Sequence, residues 1–301
     1  MNILIAGASG FIGKELVKSL SLHHQISVIG RDLKKLTSTF PSEIICYTWD
    51  NFSNQDPKQF DLIINLTGSN IGEKRWNAKV KKELIESRTQ SNECLIQWLI
   101  SNKASVRFFC ANAVGIYGAH EESNLIFDES SLLPTSAHDF LQYIGLCWEQ
   151  SLKPAIDANI PVTILRFGVV LKPGEGMLKK LNTPFRLGLG SVLGSGKQTL
   201  SWVYYQDLLR AIEFLIHRPE ITGVVNITSP YPVDQKTFAH ALAKSLKRPL
   251  LFTTPAWVVK CLFGEMGEYL LLRGQYVIPK RLNDLGFKFS HPKIESALQG
   301  K

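Results

Sequence analysis

The sequence predicts an α/β protein, a doubly wound parallel sheet followed by a smaller, mostly helical C-terminal part, and three observations carry the prediction. Short β-branched runs alternate with amphipathic segments from the start of the chain, which is the pattern of parallel strands joined by crossover helices. A glycine-rich turn, GASGFIG (7–13), separates the first such run from the first amphipathic segment. At 301 residues and 45% hydrophobic, the chain can bury a full core in one large domain or two interlocked ones.

Taken in order, strands are expected over 3–6, 26–29 and 44–48, with helices over 11–21 and 33–38 between them. The alternation resumes with a strand over 62–66, a long helix around 78–100, a strand over 106–111, a helix near 140–159 and a strand over 162–167, giving six or seven strands. After Leu171 glycine replaces periodicity, and 172–176 and 187–197 read as loops reaching over the carboxyl edge of the sheet. A helix over 205–216 and a strand over 224–227 return to the core. From Pro230 the chain reads as helical, punctuated by Pro232, Pro249, Pro255 and Pro279. Residues 1–171 with the returning 199–229 thus form a dinucleotide-binding domain, and 172–198 with 230–301 a substrate-side domain.

Composition narrows the setting. Five cysteines without CxxC spacing suggest neither a disulfide framework nor a zinc site, and fit a reducing cytoplasm. None of the seven histidines has metal spacing, so no metal is expected. The greasiest stretch, 256–272, is interrupted by Lys260, Glu265 and Glu268, and the first five residues lack a basic start, so neither a membrane partner nor a secretory signal is expected. The net charge of +8 is read as solvated helix faces and no nucleic acid is expected, since no nucleic-acid motif accompanies it.

The glycines have mechanical uses. Gly7 permits a tight turn, Gly10 lets backbone N–H groups approach a pyrophosphate, and Gly13 allows helix and strand to pack closely. With the strand before and the helix after, the loop predicts a Rossmann-type unit, and Gly7, Ser9, Gly10, Phe11, Ile12 and Gly13 are its candidate cofactor contacts. Cofactor choice is made after the second strand, where Arg31 and Asp32 follow Gly30. Arg31 suits the extra phosphate of NADP(H), preferred here over NAD(H); the other reading leaves Arg31 as a surface charge and gives the ribose to Asp32. Asp50 is either a contact to the adenine amino group or a turn residue.

The glycine spacing, NLTG (65–68), the long helix after it and AVGIYG (113–118) together resemble the extended short-chain dehydrogenase/reductase superfamily. The segments IGEKRW (71–76), ESR (86–88), RFGVVL (166–171), LGSGKQTLSWV (193–203), GEMGEYLLLRGQ (264–275) and PKRLNDLGFKF (279–289) resemble, more narrowly, epimerase-family proteins with an additional C-terminal domain of unknown function. The resemblance implies a nucleotide-sugar-epimerase-like fold, with the cofactor along the carboxyl edge and a substrate pocket under the second half. It adds Leu66, Thr67, Gly68 and Arg166 as cofactor-side residues, and Gln198 and Trp202 as substrate-side residues.

The superfamily's chemistry needs a tyrosine whose proton affinity is lowered by a lysine one helical turn on, beside a hydroxyl that steadies the substrate oxygen. Where the hydroxyl belongs the chain has Cys110, Ala111, Asn112 and Ala113; the tyrosine and lysine positions fall on Leu141 and Gly145. Asn112 can donate a hydrogen bond but cannot relay a proton. Tyr143 has no lysine partner and reads first as packing, and Tyr117 either lines the pocket or packs. Tyr276 with Lys280 encloses Pro279 and is a coincidence of spacing. Lys74 and Arg75, after the fourth strand, either fix an anionic substrate or belong to a solvated loop. The sequence therefore points to an NADP(H)-dependent oxidoreductase or epimerase on a small polar substrate, with a non-catalytic NADP(H)-binding sensor as the alternative.

Overall fold

The computed structural model describes residues 1–121 and 125–299. Seven strands, β1 (Asn2–Ala6), β2 (Gln25–Gly30), β3 (Ile45–Thr48), β4 (Leu62–Asn65), β5 (Arg107–Ala113), β6 (Val162–Phe167) and β7 (Gly223–Ile227), form one sheet. All its pairings are parallel, and the order is β7-β6-β5-β4-β1-β2-β3. Such a sheet needs cover on both faces, which is why its central strands read as unbroken apolar runs. Ile3, Ile5, Ile63 and Ile64 are fully buried. Chain order reverses between β1 and β4, and that switch point opens a crevice outside the carboxyl ends of both strands.

Helices α1 (Phe11–Leu20), α2 (Leu33–Thr39), α3 (Ala78–Ser101), α4 (Phe140–Gln150), α5 (Lys153–Asp157) and α7 (Tyr205–Ile216) supply the cover, with α6 (Gly176–Arg186) set apart from them. Beyond them come α8 (Gln235–Ser245), α9 (Ala256–Leu271), α10 (Lys280–Asp284) and α11 (Ile294–Gln299). A second apolar cluster gathers Leu178 and Phe185 of α6, Phe238 and Leu242 of α8 and Ile294 of α11 around the fully buried Trp202. Two short parallel pairs hold this lobe together: Val169–Leu171 with Trp202–Tyr204, and Ser191–Leu193 with Phe252–Thr254.

Several elements depart from the sequence expectation. The helix expected near 140–159 is broken into α4 and α5, because Pro154 lacks an N–H and takes its place in the first turn of a new helix. The stretch after Leu171 is more ordered than a pair of loops: Gly176–Arg186 is helical in spite of Pro184 near its end. The other strands and helices expected up to residue 227 fall where they were expected, within a residue or two at their ends, whereas the short strands Ser191–Leu193, inside an expected loop, and Phe252–Thr254, in the part read as helical, were not expected.

Candidate functional site

The site is built from the glycine turn upward. Gly7 has φ +79, and a Cβ there would stand 2.7 Å from the carbonyl carbon of Leu66 and 2.8 Å from the Thr67 nitrogen. The turn therefore touches the chain leaving β4, so any side chain at residue 7 would push the two apart. At Gly13 a Cβ would lie 2.5 Å from the Gly7 carbonyl oxygen, which is how α1 seats tightly on the turn. Gly10 is the N-cap of α1 and carries no side-chain cap. The first-turn N–H groups of α1 thus face the crevice without an internal side-chain acceptor, as an anion site requires. A pyrophosphate fits this cradle, and Ser9, Phe11 and Ile12 form its half-buried wall.

The opposite wall is fixed by buried amides. Asn65 Nδ2 donates to Asn92 Oδ1 at 2.7 Å and to Ser91 Oγ at 3.1 Å, while its Oδ1 accepts from the Thr67 nitrogen at 3.0 Å and from Thr67 Oγ1 at 2.7 Å. The Leu66–Thr67–Gly68 turn is thereby tied to the middle of α3. Arg88 continues the tie: its Nη2 donates to the Ser69 carbonyl at 3.0 Å, its Nη1 to the Leu84 carbonyl at 2.7 Å, and its guanidinium lies over Trp148. Burial lowers its pKa to about 10, so it remains charged at neutral pH.

At the end of β2 the two neighbours divide. The Asp32 carboxylate caps α2, accepting from the Lys35 nitrogen at 3.1 Å. Arg31 is exposed and has no ion-pair partner among the described residues. Asp50 is exposed just past β3.

Several residues expected near the ligands are engaged elsewhere. Arg166 is buried, its Nε and Nη2 each 2.7 Å from a different Glu149 oxygen and its Nη1 2.8 Å from the Tyr117 hydroxyl. Burial alone would lower its pKa, but Glu149 outweighs that and raises it. Asn112 donates to the Gly145 carbonyl and to Glu149 Oε1, and its own oxygen accepts from the Ala113 nitrogen. Tyr117 is buried, with its hydroxyl 2.9 Å from both the Asp128 carbonyl and Asn226 Oδ1; burial raises its pKa, the wrong direction for a phenolate base. Asn112, Tyr117, Glu149 and Arg166 thus form one closed network that ties β5 and β6 to α4.

Tyr143 is half exposed and opens onto a groove of about 660 Å³ bordered by Lys81, Lys82, Ile85 and Phe140, between α3 and α4. Leu141 and Gly145, where a tyrosine and a lysine would be needed, pack against Gly115 and Ile116. A Cβ on Gly145 would sit 2.8 Å from the Cβ of Ile116, so this packing has no space for a lysine stem.

The substrate-side residues divide between buried and exposed positions. Trp202 is at the centre of the second cluster, fully buried, its indole N–H donating to the Tyr231 carbonyl at 3.2 Å, so it holds the lobe together. Gln198 is buried and donates to the carbonyls of Leu193 and Leu271 at 3.0 and 2.8 Å, fastening α9 to the loop before it. Arg75 lies against Gly264 of α9, which takes φ +60 and would bring a Cβ within 3.1 Å of the guanidinium. Lys74 is exposed and 3.9 Å from Glu83.

Lys172 was not among the residues expected to matter. It donates to Glu15 of α1 at 2.9 Å and to Glu175 at 2.5 Å, and stands over the rings of Phe11 and Tyr205. The strap over 172–176 is thereby tied to α1, and a Cβ on Gly176 would stand 3.4 Å from the Phe11 ring. A lone lysine in a glycine-rich loop carries no sequence signal for this, since its partner Glu15 lies 157 residues away.

A parallel sheet with a side-chain-free helix N-terminus at its switch point defines a dinucleotide-binding class of α/β protein. The family model described as the NAD dependent epimerase/dehydratase family matches residues 3–228, and a domain of unknown function, DUF1731, matches residues 254–300. The chain belongs to the NAD dependent epimerase/dehydratase family. An epimerase family protein of Mycobacterium bovis is 34% identical over 302 residues, covering 98% of this chain and 96% of that one. One from Staphylococcus aureus is 30% identical over 297 residues, covering 98% and 97%. Among solved structures, the human epimerase family protein SDR39U1 with NADPH superposes with a TM-score of 0.88 at 28% identity, covering 100% of this chain and 98% of that chain. UDP-glucuronic acid 4-epimerase from Bacillus cereus in complex with NAD shares the fold, with a TM-score of 0.75 at 17% identity, covering 100% and 97%.

Proposed function

We propose that the protein binds NADP(H) along the carboxyl edge of the sheet and acts as an oxidoreductase or epimerase on a small polar substrate, without a tyrosine acid/base of its own. The observation that carries the cofactor choice is the division at the end of β2. Asp32 is held by the helix it caps, while Arg31 is exposed and beside the crevice. A ribose 2′-phosphate suits a guanidinium, and a ribose hydroxyl pair would suit a free carboxylate. The NADPH in the human relative supports the same choice.

When bound, the cofactor would supply hydride chemistry. This chain's residues contribute the cradle at α1, the wall tied through Asn65 and Arg88, and the strap tied to α1 through Lys172. Among the substrate-side candidates Lys74 and Arg75 are the exposed cations on the loop after β4, suited to an anionic group on the substrate.

A second reading, a sensor that holds the cofactor without turnover, is favoured by one specific feature. Tyr117 and Asn112 are closed into the Arg166 network, and Gly145 has no space for a lysine. Two measurements separate the readings. Thermal unfolding with NADPH, NADP, NADH and NAD in turn should show stabilisation by the phosphorylated pair, about 2.7 kcal/mol at a hundredfold excess over the dissociation constant. Single-turnover absorbance should show oxidation of bound NADPH by small hydroxycarbonyl compounds, or reduction of bound NADP by nucleotide sugars; a cofactor unchanged in redox state across that panel would favour the sensor.

A further inference from the structure

The excess positive charge is not spread over the molecule. Residues 176–206 and 235–264 contain nine lysines and arginines and no acidic residue, whereas the other 25 basic residues face all 26 acidic ones. The two segments are neighbours in space, joined through Ser191–Leu193 with Phe252–Thr254, through α6 against α8 and through the second apolar cluster. The lobe that covers the crevice therefore carries the whole of the chain's net charge.

The same lobe exposes large apolar side chains. Leu187, Leu189, Leu251 and Trp257 are 69, 61, 75 and 71% exposed, with Leu262 at 59% and Phe252 at 50%. They cluster by topology: Phe252 is paired with Ser191, so Leu251 and Leu189 flank the same short sheet, and Trp257 opens α9 three residues beyond that sheet's second strand. Basic residues adjoin them in sequence, Arg186 before Leu187 and Lys247 with Arg248 before Leu251; Lys260, one turn beyond Trp257, is paired with Glu268 at 3.2 Å. Buried leucines and a tryptophan would be ordinary, but this many in water beside concentrated cations need an occupant.

We propose that this face lies on an anionic lipid surface, with Trp257 and the leucines entering the headgroup boundary and the cations meeting lipid phosphates. Charge complementarity selects that occupant. A second copy of the same face would bring Arg186, Lys247 and Arg248 against like charges. A nucleic acid would satisfy the cations and stack on Trp257 and Phe252, but gives aliphatic Leu187, Leu189, Leu251 and Leu262 nothing to enter. No helix among the described residues is long and apolar enough to cross a membrane, and a surface-lying mode needs none. The expectation of no membrane partner rested on the lack of a span, which bears on crossing and not on contact.

The test is co-sedimentation of the full chain with vesicles of phosphatidylcholine alone and of phosphatidylcholine mixed with phosphatidylglycerol, at low and high salt. The proposal expects more than about tenfold stronger partitioning onto the anionic vesicles, weakened by salt. It also expects a loss of about tenfold in Trp257→Ser with Leu262→Ser, and separately in Lys247→Glu with Arg248→Glu. All four positions are solvent-facing, so an unchanged melting temperature confirms the fold. Absence of anionic-vesicle binding by the unaltered protein at low salt overturns the proposal. So does binding indifferent to the Trp257 and Leu262 changes, which would make the face a polyanion site, or a concentration-dependent dimer abolished by those changes.

Discussion

Arg31 and Asp32 are adjacent in sequence and opposite in what they are free to do, which makes each testable alone. Removing a charge-assisted contact to phosphate costs about 1.5–3 kcal/mol, so Arg31→Ala should weaken NADPH binding roughly 10- to 100-fold and leave NADH untouched, as read by titration calorimetry. Asp32→Ala should instead lower stability by about 1 kcal/mol through loss of the α2 cap, with the preference for the phosphorylated cofactor intact; a large loss of NADH binding would return the ribose to Asp32. The Glu149–Arg166 pair is a different kind of residue-scale feature. Both side chains are largely buried, at 15 and 3% exposure, and Glu149→Ala would strand a guanidinium in the interior. Urea unfolding should register a loss of about 3–5 kcal/mol. Because Asn112 and Tyr117 join the same network, Tyr117→Phe should couple to Glu149→Ala in a double-mutant cycle and not add to it.

At the scale of elements, α4 shows why the superfamily's acid/base pair is absent as a matter of packing. Leu141 and Gly145 turn toward the segment that follows β5, and α4 approaches Ile116 so closely that even a methyl at residue 145 is crowded. Gly→Ala inside a helix ordinarily gains about 1 kcal/mol. At Gly145 overpacking of about 1–3 kcal/mol opposes that gain, so Gly145→Ala should be neutral or destabilising by up to about 2 kcal/mol in thermal unfolding. Leu141→Tyr with Gly145→Lys should be less stable still and should not raise turnover. This part of the molecule was legible in the sequence, because the relevant information is local. A glycine spacing, a strand before it and a helix after it fix the cradle, and a missing lysine is visible at its own position. The same local reading could not see that Arg166 and Trp202 point inward, since the partners that claim them, Glu149 and the α6–α8–α11 cluster, come from elements far away in the chain. It also took 172–186 as loop at its start and left α6 unassigned, because Gly176 and Pro184 bracket a helix whose stability comes from Leu178 and Phe185 packing into the second core.

Across the whole molecule, the sheet domain and the covering lobe meet at the strap, and Lys172 is the residue that spans them. Its side chain is 16% exposed, and its ammonium holds Glu15 of α1 on one side and Glu175, the N-cap of α6, on the other. Burial by itself would lower the lysine pKa, but the two carboxylates outweigh it and raise the value, so Lys172 is charged wherever the protein is folded at neutral pH. Lys172 also stands over the ring of Phe11 on the cradle's wall, so a ligand seated in the cradle is expected to leave faster once the Lys172–Glu15 contact is removed. A partly screened pair of this kind contributes about 1 kcal/mol, which corresponds to about fivefold in a rate. Lys172→Ala should therefore speed NADPH dissociation about fivefold in a stopped-flow chase, with little change in the association rate. Glu15→Gln should reproduce the effect, and the double variant should be no faster than either alone. Equal slowing of association in both variants would mean that the pair shapes the cradle itself, and that the covering lobe does not govern how long the cofactor stays.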